Sequence, residues 1–210
     1  SKECLNKLRP KWDRAVRKAK LDRNSVEEVL AALAATRRLR GDDELLGHRP
    51  VNIERLSRAR YSSDTSEANA SSIAVLAEYG GKSCLLTGDA WASVLYSSIE
   101  RLLNDNKSSR LDVNALKLPH HGSRGNIDVG LLNILNCSRY LFSSNGERYR
   151  HPDPETVARI ISREETIPAL YFNYRTEVNS VWDNPRLYSG KYQFNAYYPE
   201  SEGAGIRIEL

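Results

Sequence analysis

The sequence predicts an α/β fold with helices packed outside a sheet, and three observations carry that reading. From Tyr61 onward, short apolar runs such as CLLTGD, ALKLP and YLFSS alternate with stretches whose apolar residues recur at helical spacing. Gly80-Gly81 joins two strand-like runs and marks a hairpin. Pro154, directly after Asp153, opens a helix where the missing N–H costs nothing.

Residues 1–60 are dense in Lys, Arg, Ala, Leu and Glu, all strong helix formers. One helix is expected over about Pro10 to Lys20. A second runs from Ser25, an N-cap with Glu28 at the capping-box position, to a stop at Gly41. Arg37, Arg38 and Arg40 load its last turn, where cations complement the helix dipole. YSSDTSEANASS reads as a loop by composition. SIAVLAEY and KSCLLTGD are then the two strands of the hairpin, and AWASVLYSSIERLLNDN the helix that follows.

LDVNALKLP is a third strand and NIDVGLLNILN a short helix. SRYLFSSNG is a fourth strand, and DPETVARIISREE a helix capped by Asp153. Aromatic and polar residues alternate in ALYFNYRT and KYQFNAYY, and GIRIEL ends the chain, so two or three closing strands are expected. The organisation is a basic helical segment over 1–60, an insertion or docking element, and a folded unit over 61–210.

Composition narrows the function classes. Residues 1–60 hold 16 Lys/Arg against 9 Asp/Glu, and the remainder 15 against 18. Positive charge therefore belongs to the front segment, as a solvated helical surface or as a lure for phosphate-rich partners. No apolar run is long enough to span a membrane. Cys4, Cys84 and Cys137 are odd in number and form no CxxC, which argues against a disulfide framework or zinc ribbon and fits a reducing, cytoplasmic setting. No GxGxxG or GxxxxGK[ST] is present, so the usual nucleotide cradles are not supported. The lack of any Met, including at position 1, points to an excised segment or a processed terminus.

Three times an apolar strand leads into potential ligands: CLLTGD to Asp89, ALKLPHHGS to His120 and His121, and YLFSSNGERYRHP to His151. Ligands gather outside the carboxyl ends of strands in α/β sheets. Carboxylate and imidazole together suit Zn²⁺ and similar ions, which generate hydroxide near neutral pH and polarise phosphoryl oxygens. The plainer readings are an N-cap at Asp89, a structural histidine in the 120–121 pair, and a loop-ordering role for His151 before its proline. Gly122 would let backbone approach a ligand closely, and Ser123 and Arg124 offer a hydroxyl and a cation to a phosphate. His48, in LLGHRPVN, reads as a loop histidine.

SSIAVLAEYGGKSCLLTGDA, ALKLPHHGSRGNI and LFSSNGERYRHPDPETVARI together resemble the metallo-β-lactamase-fold hydrolases of the competence-protein ComEC type. The resemblance covers about residues 66–162. It implies an αββα sandwich with one or two metal ions, Zn²⁺ or Mn²⁺, at one edge. It implies Asp89 as bridging ligand, His151 as the later histidine ligand, and His120 or His121 as ligand or phosphate contact. Asp89 and His121 are thereby the expected catalytic groups, and Ser123, Arg124 and Asn69 the expected substrate contacts. Arg150 stands where the family usually has glycine, and Asn69 and Ser71 lie near the place where many lactamase-fold enzymes carry a further histidine.

The family's His-x-His-x-Asp-His motif does not occur in these residues. The expectation is therefore the C-terminal half of the fold, completed by a first half on the same chain or another. That implies a metal-dependent phosphodiesterase or nuclease, with nucleic acid as partner. A hydrolase of a cyclic nucleotide, lactone or thioester is the alternative enzyme, and a catalytically silent interaction module the alternative of a different class.

Overall fold

The computed structural model describes residues 2–19 and 51–210, except 164–165, 189–190 and 202–204. The helix expected from Ser25, and His48, lie outside the described residues. Helix α1 (Lys2–Ala19) begins earlier than expected and carries Pro10 inside it. A proline removes one backbone donor and strains one turn. Here docking opposes that loss, since Cys4 is buried and Lys11 Nζ donates to Glu67 Oε2 at 2.6 Å. Glu67 opens the short helix α3 (Glu67–Ala70), which follows α2 (Ile53–Ser57).

Among the described residues the main sheet has six strands, in the order β1 (Val75–Tyr79), β2 (Lys82–Leu86), β4 (Ala115–Lys117), β6 (Arg139–Phe142), β7 (Ala169–Phe172) and β8 (Asn195–Tyr197). Hairpin strands β1 and β2 are antiparallel, as the sequence suggests. Gly80 and Gly81 both have positive φ, +57° and +75°, which the tight turn between them requires. From β2 on, every pairing is parallel, through β4, β6, β7 and β8. Helix α4 (Ala92–Asn106) crosses from β2 toward β4 and buries Ala92, Leu95, Ile99 and Leu103, one stripe at helical spacing. Helix α5 (Val129–Asn133) lies between β4 and β6, and α6 (Pro154–Ile161) between β6 and β7.

Several elements differ from expectation. The strand expected over LDVNALKLP divides at Asn114, whose side chain accepts from Ser83 N and whose N–H donates to Ser83 O. Its first part, β3 (Leu111–Asp112), pairs with β5 (Leu135–Asn136) in a separate two-stranded parallel sheet. Helix α5 is shorter than NIDVGLLNILN because Asp128, not Asn126, caps it, accepting from Leu131 N at 2.7 Å. Among the described residues of the closing segment two strands form, and GIRIEL adopts no strand. Residues 51–60 pack with the unit expected to start at 61: Ile53 and Leu56 are buried in its core, and Arg159 donates to Ala59 O.

The register divides the sheet into two unlike faces. Leu76, Leu85, Leu116, Tyr140, Leu170 and Ala196 are successive partners on one face, and Leu85 to Leu170 are all buried. Their neighbours along each strand form the opposite row: Val75, Leu86, Lys117, Leu141, Tyr171 and Tyr197. That row is mostly apolar yet none of it is buried, and Val75, Leu86 and Tyr197 are 46%, 43% and 43% exposed. The described helices thus leave this row uncovered.

Truncating the two faces should give different costs. Leu116→Ala is expected to destabilise by about 2–5 kcal/mol, the usual range for a buried leucine. Leu86→Ala should stay within roughly 1 kcal/mol. Urea denaturation of both variants checks the contrast; equal losses would mean that the second face is covered too.

Candidate functional site

Adjacent parallel strands bring their carboxyl ends together, and β2, β4 and β6 are adjacent. The segments leaving them therefore meet at one sheet edge. They are stitched there: Thr87 Oγ1 donates to Lys117 O at 2.6 Å, His120 N to Gly88 O at 3.0 Å, and Leu118 N to Leu141 O at 3.0 Å. His120 and His121 follow β4 in a 3-10 turn (Pro119–Gly122), and both take left-handed φ, +46° and +58°. Such conformations cost side-chain-bearing residues about 1–3 kcal/mol each and persist only where the surroundings impose them.

Gly122 supplies part of that imposition. At φ +87°, a Cβ there would lie 2.9 Å from Pro152 Cβ and 3.1 Å from Phe142 Cδ1. The close approach that glycine permits is thus to the His151-Pro152 segment, rather than the expected approach to a ligand. Asp153 N completes the junction by donating to Gly122 O at 3.1 Å. Arg150 takes φ +53°, the region that favours glycine.

The three described histidines converge. Ring centroids of His120 and His151 are 5.2 Å apart, and those of His120 and His121 6.2 Å. His121 Nδ1 pairs with Ser143 O, an acceptor, which puts hydrogen on Nδ1 and, in the neutral ring, leaves Nε2 without one. Asp89 is half-buried and its charge acts on His120, His121 and Lys117. Burial pushes the Lys117 ammonium below its ordinary value, against the pull of Asp89. Burial likewise lowers His121, more than its bond to Ser143 raises it.

Around His120 lies a buried polar network. Asp64 Oδ2 stands 3.3 Å from His120 Nδ1 and accepts from Asn69 Nδ2 at 2.6 Å and Asn126 Nδ2 at 3.1 Å. Ser66 N donates to Asp64 Oδ1 at 2.8 Å. Burial alone would raise the Asp64 carboxyl, but His120, Asn69, Ser66 and Asn126 together hold it well below the usual carboxylate range. Burial opposes the charge on His120 too, yet Asp64 and Asp89 raise it above its ordinary value.

The other expected contacts, Asn69, Ser123 and Arg124, have their own partners. Asn69 is buried with its amide on Asp64 and beside His120 Nδ1 at 3.2 Å. The Arg124 guanidinium pairs with Glu155 on α6 at 3.1 Å, not with the histidines. Ser123 N donates to His120 O at 3.0 Å, and its hydroxyl lies 3.4 Å from Gly125 N. Asp153 sits at the N-cap of α6 but makes no side-chain cap bond. Its Oδ2 instead accepts from Arg124 N at 2.7 Å. His151 Nδ1 is buried without a hydrogen bond, its nearest carboxylate oxygen, Asp153 Oδ1, standing 3.5 Å away.

Asp64 and Asn126 escape sequence reasoning. Asp64 lies in a polar loop without periodicity, and Asn126 looks like the start of a helix. A buried Arg159 is also unforeseen; it donates to Arg124 O, Ile127 O and Ala59 O and pins the loop after the histidines.

Imidazole and carboxylate donors have the chemistry a borderline-soft divalent ion prefers. Among the described residues, however, no group of three or more His, Cys, Asp or Glu side chains is placed to hold one. The residues present therefore fall short of a metal site by themselves. Cys84 and Cys137 are free thiols. Compared with known proteins, the chain matches no family model, no curated protein and no solved structure.

Two measurements test this geometry. Gly122→Ala should destabilise by about 2–4 kcal/mol, combining left-handed strain with overpacking. Gly80→Ala, where nothing lies within 4 Å, should cost only about 1–2 kcal/mol. For pH, the lowered Asp64 carboxyl contributes stability above its unfolded value near 4, lost as pH falls through the folded value. The raised His120 contributes below about 6.5, and that contribution is lost as pH rises through its folded value. The stability difference between wild type and Asp64→Asn should accordingly peak at about pH 4–6.5; a flat profile would contradict the ion pair.

Proposed function

We propose that the chain supplies part of the active site of a metal-dependent phosphodiesterase, a nuclease of the ComEC-type metallo-β-lactamase kind. The observation that carries this reading is the convergence of His120, His121 and His151 near Asp89, where three adjacent parallel strands end. The open, mostly apolar row from Val75 to Tyr197 supports a sandwich in which a second sheet covers this face. On this reading the remaining ligands come from outside the described residues, on the same chain or another.

Zn²⁺ or Mn²⁺, one ion or two, would supply a nucleophile near neutral pH and polarise the phosphoryl group. Asp89, His120, His121 and His151 are the donors this chain would offer. His121, with Nδ1 engaged by Ser143 O, keeps Nε2 as the acceptor it could offer to an ion or to a proton of the substrate. Beside the cluster, Arg148, Tyr149 and Arg150 are exposed, the Tyr149 ring 6.0 Å from that of His151 and the Arg148 guanidinium 5.0 Å from the Tyr149 centroid. Cations and an aromatic ring at a site's rim suit the phosphates and bases of a nucleic acid. Among the described residues no helix is long and apolar enough to cross a membrane.

The test is cleavage of DNA and RNA by the full-length protein with Mn²⁺ or Zn²⁺. Asp89→Ala and His120→Ala should each lower the rate at least about 100-fold, as loss of metal-site groups does. Binding should weaken steeply with added salt. Cleavage unchanged in Asp89→Ala would overturn the reading, and binding without cleavage by the wild type would leave an interaction module.

A further inference from the structure

We infer that Asp64 is a positioning residue that fixes His120 with its proton on Nδ1, so that Nε2 is the nitrogen presented at the site. The three polar groups facing His120 Nδ1 argue for this. Asp64 Oδ2 at 3.3 Å and Asn126 Oδ1 at 3.2 Å are acceptors, and Asn69 Nδ2 at 3.2 Å is a neutral donor with one of its two hydrogens on Asp64 at 2.6 Å. Two acceptors, one of them charged, select the tautomer with hydrogen on Nδ1.

Asp64 is itself held from several sides. Its carboxylate accepts from Ser66 N, Asn69 and Asn126, and its own N–H donates to Gly125 O at 3.0 Å. Gly125 makes that last contact possible, because a Cβ there would stand 3.0 Å from Asp64 N and 3.1 Å from Ser62 O. Tyr61 OH donates to the same Gly125 O at 2.9 Å. A carboxylate so anchored does not follow the ring; the ring follows the carboxylate. Side-chain exposures of 13% for Asp64 and 20% for His120 keep water from competing for the contact.

The tautomer claim stands on geometry alone, whereas its catalytic consequence rests on the proposed hydrolase reading. The experiment separates them. Nitrogen-15 NMR of the histidine rings, in full-length protein without added metal and at a pH above the His120 titration, reads the tautomer directly, with His120→Gln assigning the signals. Wild-type His120 is expected to show a protonated Nδ1 and a bare Nε2, and Asp64→Asn to shift it toward the ordinary mixture in which Nε2 carries hydrogen. A wild-type His120 with hydrogen on Nε2 overturns the inference, and that spectrum needs no variant to fold.

In the nuclease assay, Asp64→Asn should lower kcat by about 10–100-fold with little change in KM, as loss of a carboxylate behind a site histidine does. Asp64→Glu should restore part of the rate. Wild-type kcat in Asp64→Asn overturns the positioning role, whatever the spectrum shows. No cleavage by the wild type, with the expected spectrum, removes the hydrolase reading and leaves the Asp64–His120 assignment intact.

Discussion

A single buried carboxamide ties the site's segments to one another. Asn126 is fully buried, and its two N–H hydrogens are shared among Asp64 Oδ2, Asp89 O and Ala90 O. Its carbonyl oxygen faces His120 Nδ1. Three stretches far apart in sequence, the 61–66 loop, the turn after β2 and the turn after β4, thus share one polar centre. With both side-chain polar atoms of Asn126 engaged inside the protein, moving any of these stretches would strand a donor or acceptor away from water, at about 1–3 kcal/mol each. The fold can hold its histidines in left-handed backbone because this centre leaves them no cheaper arrangement.

Charge is distributed around that centre in a definite way. Asp64 lies behind His120, Asp89 is near all three of His120, His121 and Lys117, and Asp153 stands behind His151. Two of the histidines therefore have a carboxylate at their backs, while His121 has a backbone carbonyl instead. The two members of the HHGS pair are unlike in consequence: burial lowers His121, and neighbouring carboxylates raise His120. A pair that looks redundant in sequence is divided by its surroundings into one imidazole inclined to stay neutral and one inclined to hold a proton.

Much of the architecture was legible because it follows from local rules. The hairpin was readable from alternation and two glycines, helix α4 from its apolar stripe, and α6 from Asp153-Pro154. The segments carrying Asp89, His120 and His121 just past β2 and β4 were readable because polar residues there break an apolar run, and His151 follows further along the loop after β6. What failed were assignments decided by tertiary contact. Asn114 divides an apparent strand through its bonds to Ser83, and Pro10 lies within a helix whose Lys11 and Cys4 dock. Asp153 occupies a cap position but spends its carboxylate on Arg124 N. Asp64 carries no periodic signature at all, since its neighbours in space lie at positions 120 and 126.

The open row of the sheet has a bearing on how the protein must be handled. Val75, Leu86 and Tyr197 expose apolar surface in line with Leu141 and Tyr171, and both edge strands, β1 and β8, flank it. Left bare at high concentration, such a ribbon draws copies together, edge against edge or face against face. Solubility, more than folding, then sets the working range of the chain.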